Sequence, residues 1–294
     1  MGFANHESDN LLNRLRLFRF WAEKEFEVVI DGERRKIRCR AGSNESKRAA
    51  EELCRQKAER VQLIVDKKIQ RQSSYEKPTR EHIIEEIDSE NIITRNYYGA
   101  LILNTSSVNI FDIDTYQKTF WERLTFKKID NKHGIIGLLR RLHAEQIIPG
   151  TTWRIYETCK GIRVMILGRF IEPGSKQFKT FCEKSNADGL YSWLCVQQRC
   201  YRARLTPKPY RMHIDCIKYR CPVPEGQEQA YKNWEHEYDN AARGFAVCRY
   251  VETLGNGVVE SRIIDLHDRY CLNDQAEKLR SEEHTSELQS RGLI

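Results

Sequence analysis

The order of strand-like and helix-like runs between residues 108 and 206 most restricts what this chain can fold into. VNIFDID (108–114) is a β-rich run, and GIIGLLRRLHAEQI (134–147) spaces its apolar residues as one helix face does. TWRIYET (152–158) and IRVMILGRF (162–170) are strands joined by the short turn Cys159-Lys160-Gly161. Residues 175–198 hold one or two helices, broken at Asn186-Ala187-Asp188-Gly189, and YRARLT (201–206) is another strand. Counted from FDID, the order is β-α-β-β-α-β, the split βαβ or ferredoxin-like sequence of elements.

The flanks add to this core. FEVVIDGERRKIRCR (26–40) is a hairpin, because Asp31-Gly32 between β-rich runs is a strong turn signal. A helix is expected from about residue 45 to 69, capped by Ser43 or Asn44, with a polar linker at 70–81. YYGALILN and VNIFDID form strands around Thr105-Ser106-Ser107. A helix at about 225–242 leads to a final hairpin, FAVCRYVET and VVESRIIDL, turned at Leu254-Gly255-Asn256-Gly257. The expected fold is α+β: an N-terminal hairpin-plus-helix element (1–75), a ferredoxin/RRM-like βαββαβ core (76–279) and a C-terminal hairpin within it. Residues 280–290, RSEEHTSELQS, resemble the translation of a sequencing adapter, so 280–294 are excluded from fold reasoning and the native C-terminus is expected to be missing.

Composition narrows the class. No apolar run approaches the 18 or so residues a membrane helix needs, and MGFANHESDN has no signal core. It begins Met-Gly, but His6 stands where myristoylation wants Ser or Thr. Ten cysteines are scattered, several in apolar runs, which points to reduced thiols in the cytoplasm. Cys195-x4-Cys200 and Cys216-x4-Cys221 sit at the loose end of zinc-ligand spacing, so structural zinc is not expected. The net charge of +7 is spread out and compatible with an anionic partner. The oligomeric state is not legible.

Three constellations could carry chemistry. Asp112 and Asp114 alternate on a strand, so both carboxylates share a face and could hold Mg2+ or Mn2+. Thr158, Gly161 and Arg163 surround a tight turn whose backbone amides and cation suit a triphosphate. In YRARLTPKPYR (201–211), Arg202, Arg204, Lys208 and Arg211 are stiffened by Pro207 and Pro209, with Tyr201 and Tyr210 able to stack on bases. Asp215 is a candidate third acid, on the same face as His213 if that stretch is extended. His267-Asp268, read as adjacent strand residues pointing apart, is discounted as a metal motif. Without metal, Arg202 and Arg204 would serve as ion-pair partners of the two aspartates.

FWAEKEFEV, ITRNYYGALILNTSSVNIFDID and YRARLTPKPYR together resemble an uncharacterised bacterial protein family over most of residues 19–270. More distantly, FDID, Thr158-x-x-Gly161-x-Arg163 and Ile214-Asp215 resemble the archaeo-eukaryotic primase-polymerases. Their pattern is an hDhD strand, a Ser/Thr-x-x-Gly-x-His hairpin and a late apolar-Asp. That resemblance implies a nucleotidyltransferase acting on nucleic acid and nucleoside triphosphate, with Asp112, Asp114 and Asp215 as metal ligands. It places Thr158, Gly161 and Arg163 at the phosphates, and Arg163 stands where the pattern has His. The alternatives are a non-catalytic nucleic-acid-binding protein with an RRM-like sheet, or an inactive relative acting as an interaction module.

Overall fold

The computed structural model describes residues 10–68, 79–118, 120–124, 129–218, 221–257 and 261–272. It is a mixed α+β protein whose paired strands are antiparallel. The chain divides into two compact units, one of Met1–Gly99 with Cys216–His236, the other of Ala100–Asp215 with Glu237–Ile294. The boundary expected near 75/76 lies outside the described residues. Among the described residues no helix is long and apolar enough to cross a membrane.

In the first unit, α1 (Leu11–Arg14) precedes β1 (Phe20–Ile30) and β2 (Glu33–Ser43), a hairpin longer than expected. Its two-residue turn, Asp31-Gly32, has φ of 51° and 81°, the left-handed pair that matches the twist of the flanking strands. Helix α2 (Lys47–Val65) lies on this hairpin through small residues: Ala22, Cys39 and Ala41 meet Ala50, Cys54 and Ala58. Its cap is Ser46, whose hydroxyl accepts from Ala49 N–H at 3.1 Å, and not Ser43 or Asn44. Those two residues have other work. Asn44 accepts from Arg19 N–H and donates to the Leu17 carbonyl, while the Ser43 hydroxyl accepts from Glu45 N–H.

A second hairpin, β3 (His82–Asp88) and β4 (Asn91–Arg95), was not expected. Its turn lacks glycine and closes through Asp88, whose carboxylate accepts from Glu90 N–H and from the Asn91 amide, both at 2.8 Å. Arg95 at its end is buried and donates to the Gly99 carbonyl and to Glu235.

The second unit contains β5 (Leu101–Thr105), β6 (Asn109–Ile113), α3 (Phe120–Leu124), α4 (Asn131–Ala144), β7 (Thr152–Thr158) and β8 (Ile162–Leu167). Then come α5 (Lys176–Ser185), α6 (Gly189–Gln198), β9 (Tyr201–Arg204) and a 3-10 turn, Pro209–Met212. Helix α7 (Glu228–Ala242) returns the chain to this unit, followed by β10 (Cys248–Leu254) and α8 (Arg262–Cys271). Four strands form a sheet in the order β10-β7-β8-β6, and β9 pairs with β5.

One face of the four-stranded sheet is apolar. Phe111 on β6 meets Phe181 and Phe178 of α5 at ring distances of 4.3 and 5.6 Å, and Trp153 on β7 meets Phe181 at 5.5 Å. Truncating such a buried ring to Ala costs about 3–5 kcal/mol. The opposite face carries Asp112, Arg163, Tyr156 and Arg154, because residues alternate across each strand.

The C-terminal hairpin expectation is corrected here. The first of its strands is β10, but the run that follows Ser261 is helix α8, and residues 258–260 lie outside the described set. Ile263, Ile264, Leu266, His267 and Cys271 are buried, a helical spacing, and the Ser261 hydroxyl caps the helix at Ile264 N–H. The short apolar pair Ile263-Ile264 satisfies either periodicity, and the burial of His267 and Cys271 decides for the helix.

Candidate functional site: a buried arginine and the charges around it

Asp112 and Arg163 stand directly opposite each other on β6 and β8. Arg163 is 3% exposed and grips both carboxylate oxygens, Nε to Oδ1 at 2.9 Å and Nη2 to Oδ2 at 3.3 Å. Nη1 donates to the Arg204 carbonyl at 3.2 Å and lies 3.3 Å from His267 Nε2. Burial pulls the guanidinium pKa down, but the charge and hydrogen bonds of Asp112 push it higher still. Arg163 therefore stays charged in a dry place, and Asp112 is what makes that tolerable. The expected ion-pair partners of Asp112 were Arg202 and Arg204, yet Arg163 holds it.

Asp114 is differently placed. Strand β6 ends at Ile113, so Asp114 lies beyond the pleat, is exposed, and gives its carbonyl to the Asn131 amide at 2.8 Å. It opens on a cleft of about 1030 Å³ shared with Asp130, Glu157, Lys160 and Arg249. Asp215 is exposed in a loop, and His213 before it adopts φ 58°, so the extended stretch expected to align these two residues is not formed. Among the described residues, Asp112, Asp114 and Asp215 do not gather as a trio within ligand-sharing distance.

The Thr158–Gly161 turn closes on itself. The Thr158 hydroxyl accepts from Gly161 N–H at 3.1 Å, and Thr158 N–H donates to the Gly161 carbonyl at 2.9 Å. Gly161 is required by close approach: a Cβ there would collide with the Ile113 carbonyl oxygen and the Asp114 backbone. The glycine thus sets how the hairpin meets the end of β6, where Asp114 sits.

The basic segment splits by periodicity. Tyr201 and Ala203 point into the core, and Arg202 and Arg204 alternate with them, half-buried. Tyr201 is fully buried with its hydroxyl donating to the Ile171 carbonyl at 2.7 Å, so it is a core residue rather than a base-stacking one. Arg202 donates to Gln198 at 3.4 Å. The Tyr238 hydroxyl donates to the Pro207 carbonyl at 2.6 Å and lies 2.6 Å from the Thr206 hydroxyl, which pins the loop. Beyond it, Lys208 lies 5.6 Å from the centre of the Tyr210 ring, and Tyr210 is 42% exposed. Burial lowers the Arg204 pKa, and the nearby Arg211 and Arg163 lower it further. Lys208 is likewise depressed by burial and then by Arg204. Arg163, Arg204, Lys208 and Arg211 are thus one electrostatic group, assembled from β8, β9 and the loop after it.

What the sequence did not reveal is α8 lying on the polar sheet face. His267 Nδ1 is 3.0 Å from Asp268 Oδ1, the same oxygen accepts from the Tyr156 hydroxyl at 2.7 Å, and Arg154 donates to Oδ2 at 2.6 Å. In a helix these adjacent residues both engage one network, so the reason for discounting them fails. Burial raises the Asp268 pKa, but His267, Tyr156 and Arg154 lower it by more. Cys248 on β10 joins His267 and Cys271, with ligand atoms all within 4.8 Å of one another. A hydrogen bond from Cys271 lowers the Cys248 thiol to about 6 against the push of burial, with help from His267. Of the cysteine pairs read for zinc spacing, Cys195 and Cys200 belong to the second unit, Cys216 and Cys221 to the first. Comparison with protein-family models, curated proteins and solved structures finds no match for this chain.

Proposed function

We propose that the second unit binds nucleic acid, holding phosphates with Arg204, Lys208 and Arg211 and stacking a base on Tyr210. The observation that carries this is the grouping of Arg204, Lys208 and Arg211 on β9 and the loop after it, beside the exposed Tyr210; burial first, and then Arg211 and Arg163, lower the Arg204 pKa. Clustered Lys and Arg neutralise backbone phosphates and release their counterions, which drives binding. Of the finer fold expectation, an RRM-like sheet, three strands find support in the order β7-β8-β6, in which the third strand of the split unit lies between the first two, whereas the expected fourth strand, β9, pairs with β5 outside this sheet. All ten cysteines carry thiols rather than disulfides, which fits the cytoplasmic setting expected.

Fluorescence anisotropy with labelled single-stranded DNA and RNA, over about 50–200 mM salt, tests this. Lys208→Gln/Arg211→Gln should weaken binding and flatten the log–log salt slope by about 1.4, roughly 0.7 for each phosphate of a single strand that is no longer neutralised. Equal binding and slope in the double variant would end the proposal.

A second reading, Mg2+- or Mn2+-dependent nucleotidyl transfer from a nucleoside triphosphate, is favoured by one observation: Asp114 is exposed on a roomy cleft beside Glu157 and Asp130. Primer extension abolished in Asp114→Ala would support it. Absence of extension by folded protein leaves binding as the function. Asp112→Ala is the poorer probe, since it also strands Arg163.

A further inference from the structure

We propose that Cys248, His267 and Cys271 bind a thiophilic transition-metal ion, zinc by preference, in a site that sequence spacing does not announce. The three ligand atoms lie within 4.8 Å of one another, and the residues are 1%, 0% and 0% exposed. In tetrahedral zinc sites, Zn–S bonds of about 2.3 Å and Zn–N bonds of about 2.0 Å place ligand atoms roughly 3.5–3.8 Å apart. The cluster is therefore within about an ångström of binding geometry. Two sulfurs and an imidazole are the donor set that zinc takes and that Mg2+ refuses.

The surroundings fit the same ligation. A metal-bound histidine usually donates its other ring N–H to a carboxylate, which fixes the tautomer. His267 Nδ1 faces Asp268 Oδ1 at 3.0 Å, and Asp268 is itself fixed by Tyr156 and Arg154. This leaves Nε2 as the coordinating atom. When Nε2 turns to the ion, Arg163 gives up the 3.3 Å contact of Nη1 and keeps its bonds to Asp112, through Nε and Nη2, and to the Arg204 carbonyl, through Nη1. Charge also balances. M2+ bound by both sulfurs as thiolates, any thiol proton going to solvent, forms a neutral M(S−)2(imidazole) unit beside the neutral Asp112–Arg163 pair. Three protein ligands leave one position for water or a further donor. The site stands on α8 and β10 and is independent of whether the unit binds nucleic acid.

The test uses the full chain, kept reduced, stripped by chelator and titrated with Co2+. One equivalent should produce a thiolate-to-cobalt charge-transfer band and tetrahedral visible bands, both bleached by Zn2+. Cys248→Ser and Cys271→Ser should each lose at least half of the charge-transfer intensity. Cys216→Ser, at an exposed cysteine that is not one of the three, should keep it. No band in folded protein, or a band that survives in Cys248→Ser/Cys271→Ser, overturns the proposal. Because those variants could unfold, zinc-edge X-ray absorption on the unaltered protein is the second measurement. Two sulfur scatterers at about 2.3 Å are expected, and a shell of nitrogen and oxygen alone overturns the site.

Discussion

Replacing Asp112 by Ala should destabilise the second unit by about 3 kcal/mol. Removing one partner of a buried ion pair typically costs about 3–5 kcal/mol, because the remaining charge is left uncompensated in a medium that solvates it poorly. The lower end applies here. Arg163 is almost wholly buried, but the Asp112 side chain is 29% exposed, so water already shares its solvation. Arg163 also keeps its bond to the Arg204 carbonyl. For a unit of this size, about 3 kcal/mol lowers the melting temperature by roughly 6–12 °C. The assay is urea and thermal unfolding of wild type, Asp112→Ala, Arg163→Met and the double variant Asp112→Leu/Arg163→Met. The double variant should recover part of the loss, because an apolar pair of similar volume removes both desolvation penalties. A metal-binding role for Asp112 predicts the opposite sign. Carboxylates gathered to receive a cation repel one another without it, so Asp112→Ala would then raise stability in metal-free buffer. A loss below about 0.5 kcal/mol, the usual range of inconsequential surface changes, would refute the claim that Asp112 compensates Arg163.

Three further outcomes follow from the geometry. Burial, and then Arg95, lower His82 from its ordinary 6.5 to about 4, so it folds neutral and its contribution is lost as pH falls from 6.5 towards 4. Stability of the first unit should drop by about 2–3 kcal/mol over that window, and His82→Leu should flatten the drop in urea titrations at several pH values. Asp268 is depressed, so it stabilises above the unfolded carboxylate pKa and the effect fades as pH falls through the folded one. Asp268→Asn should cost about 2 kcal/mol at neutral pH by breaking charged hydrogen bonds with Arg154, with little cost in strong acid. Gly161→Ala should cost about 1–3 kcal/mol by overpacking against β6. Amide exchange in residues 110–114 should accelerate, and unchanged exchange there would count against the close approach.

Most strands and helices from FDID to YRARLT were legible, α3 excepted, because their signals are local: β-branched and aromatic runs in β7 and β8, amphipathic spacing in α4, and an Asn186–Asp188 break that ends α5 and caps α6. Hairpin β3–β4 was not legible, since its turn relies on an Asp88 side chain rather than on glycine. Helix α8 was read as a strand because its first residues satisfy both periods. The candidate residues were found by type, but their partnerships were not. Asp112 was matched with Arg202 and Arg204 by nearness of purpose, whereas Arg163 wins by cross-strand register between segments 51 residues apart. Register of that kind depends on loop lengths and helix packing that no local pattern encodes. Cys248, His267 and Cys271 escaped for the same reason, since only the docking of α8 brings them together.

The position of α8 over the polar sheet face also bears on how the protein is made. Asp112 and Arg163 emerge from the ribosome about 100 residues or more before His267, and translation at about 5–20 residues per second makes that a delay of roughly 5–20 s. Through that interval the strands can pair while their charged face remains wet, so the ion pair adds little to the nascent sheet. Only when α8 docks does water leave, and the arginine then becomes committed to its carboxylate. The last helix described is thus a clamp on an otherwise provisional intermediate. A stalled chain ending before residue 262 should hold the apolar face with α4 and α5 while leaving the other open to chaperones and proteases.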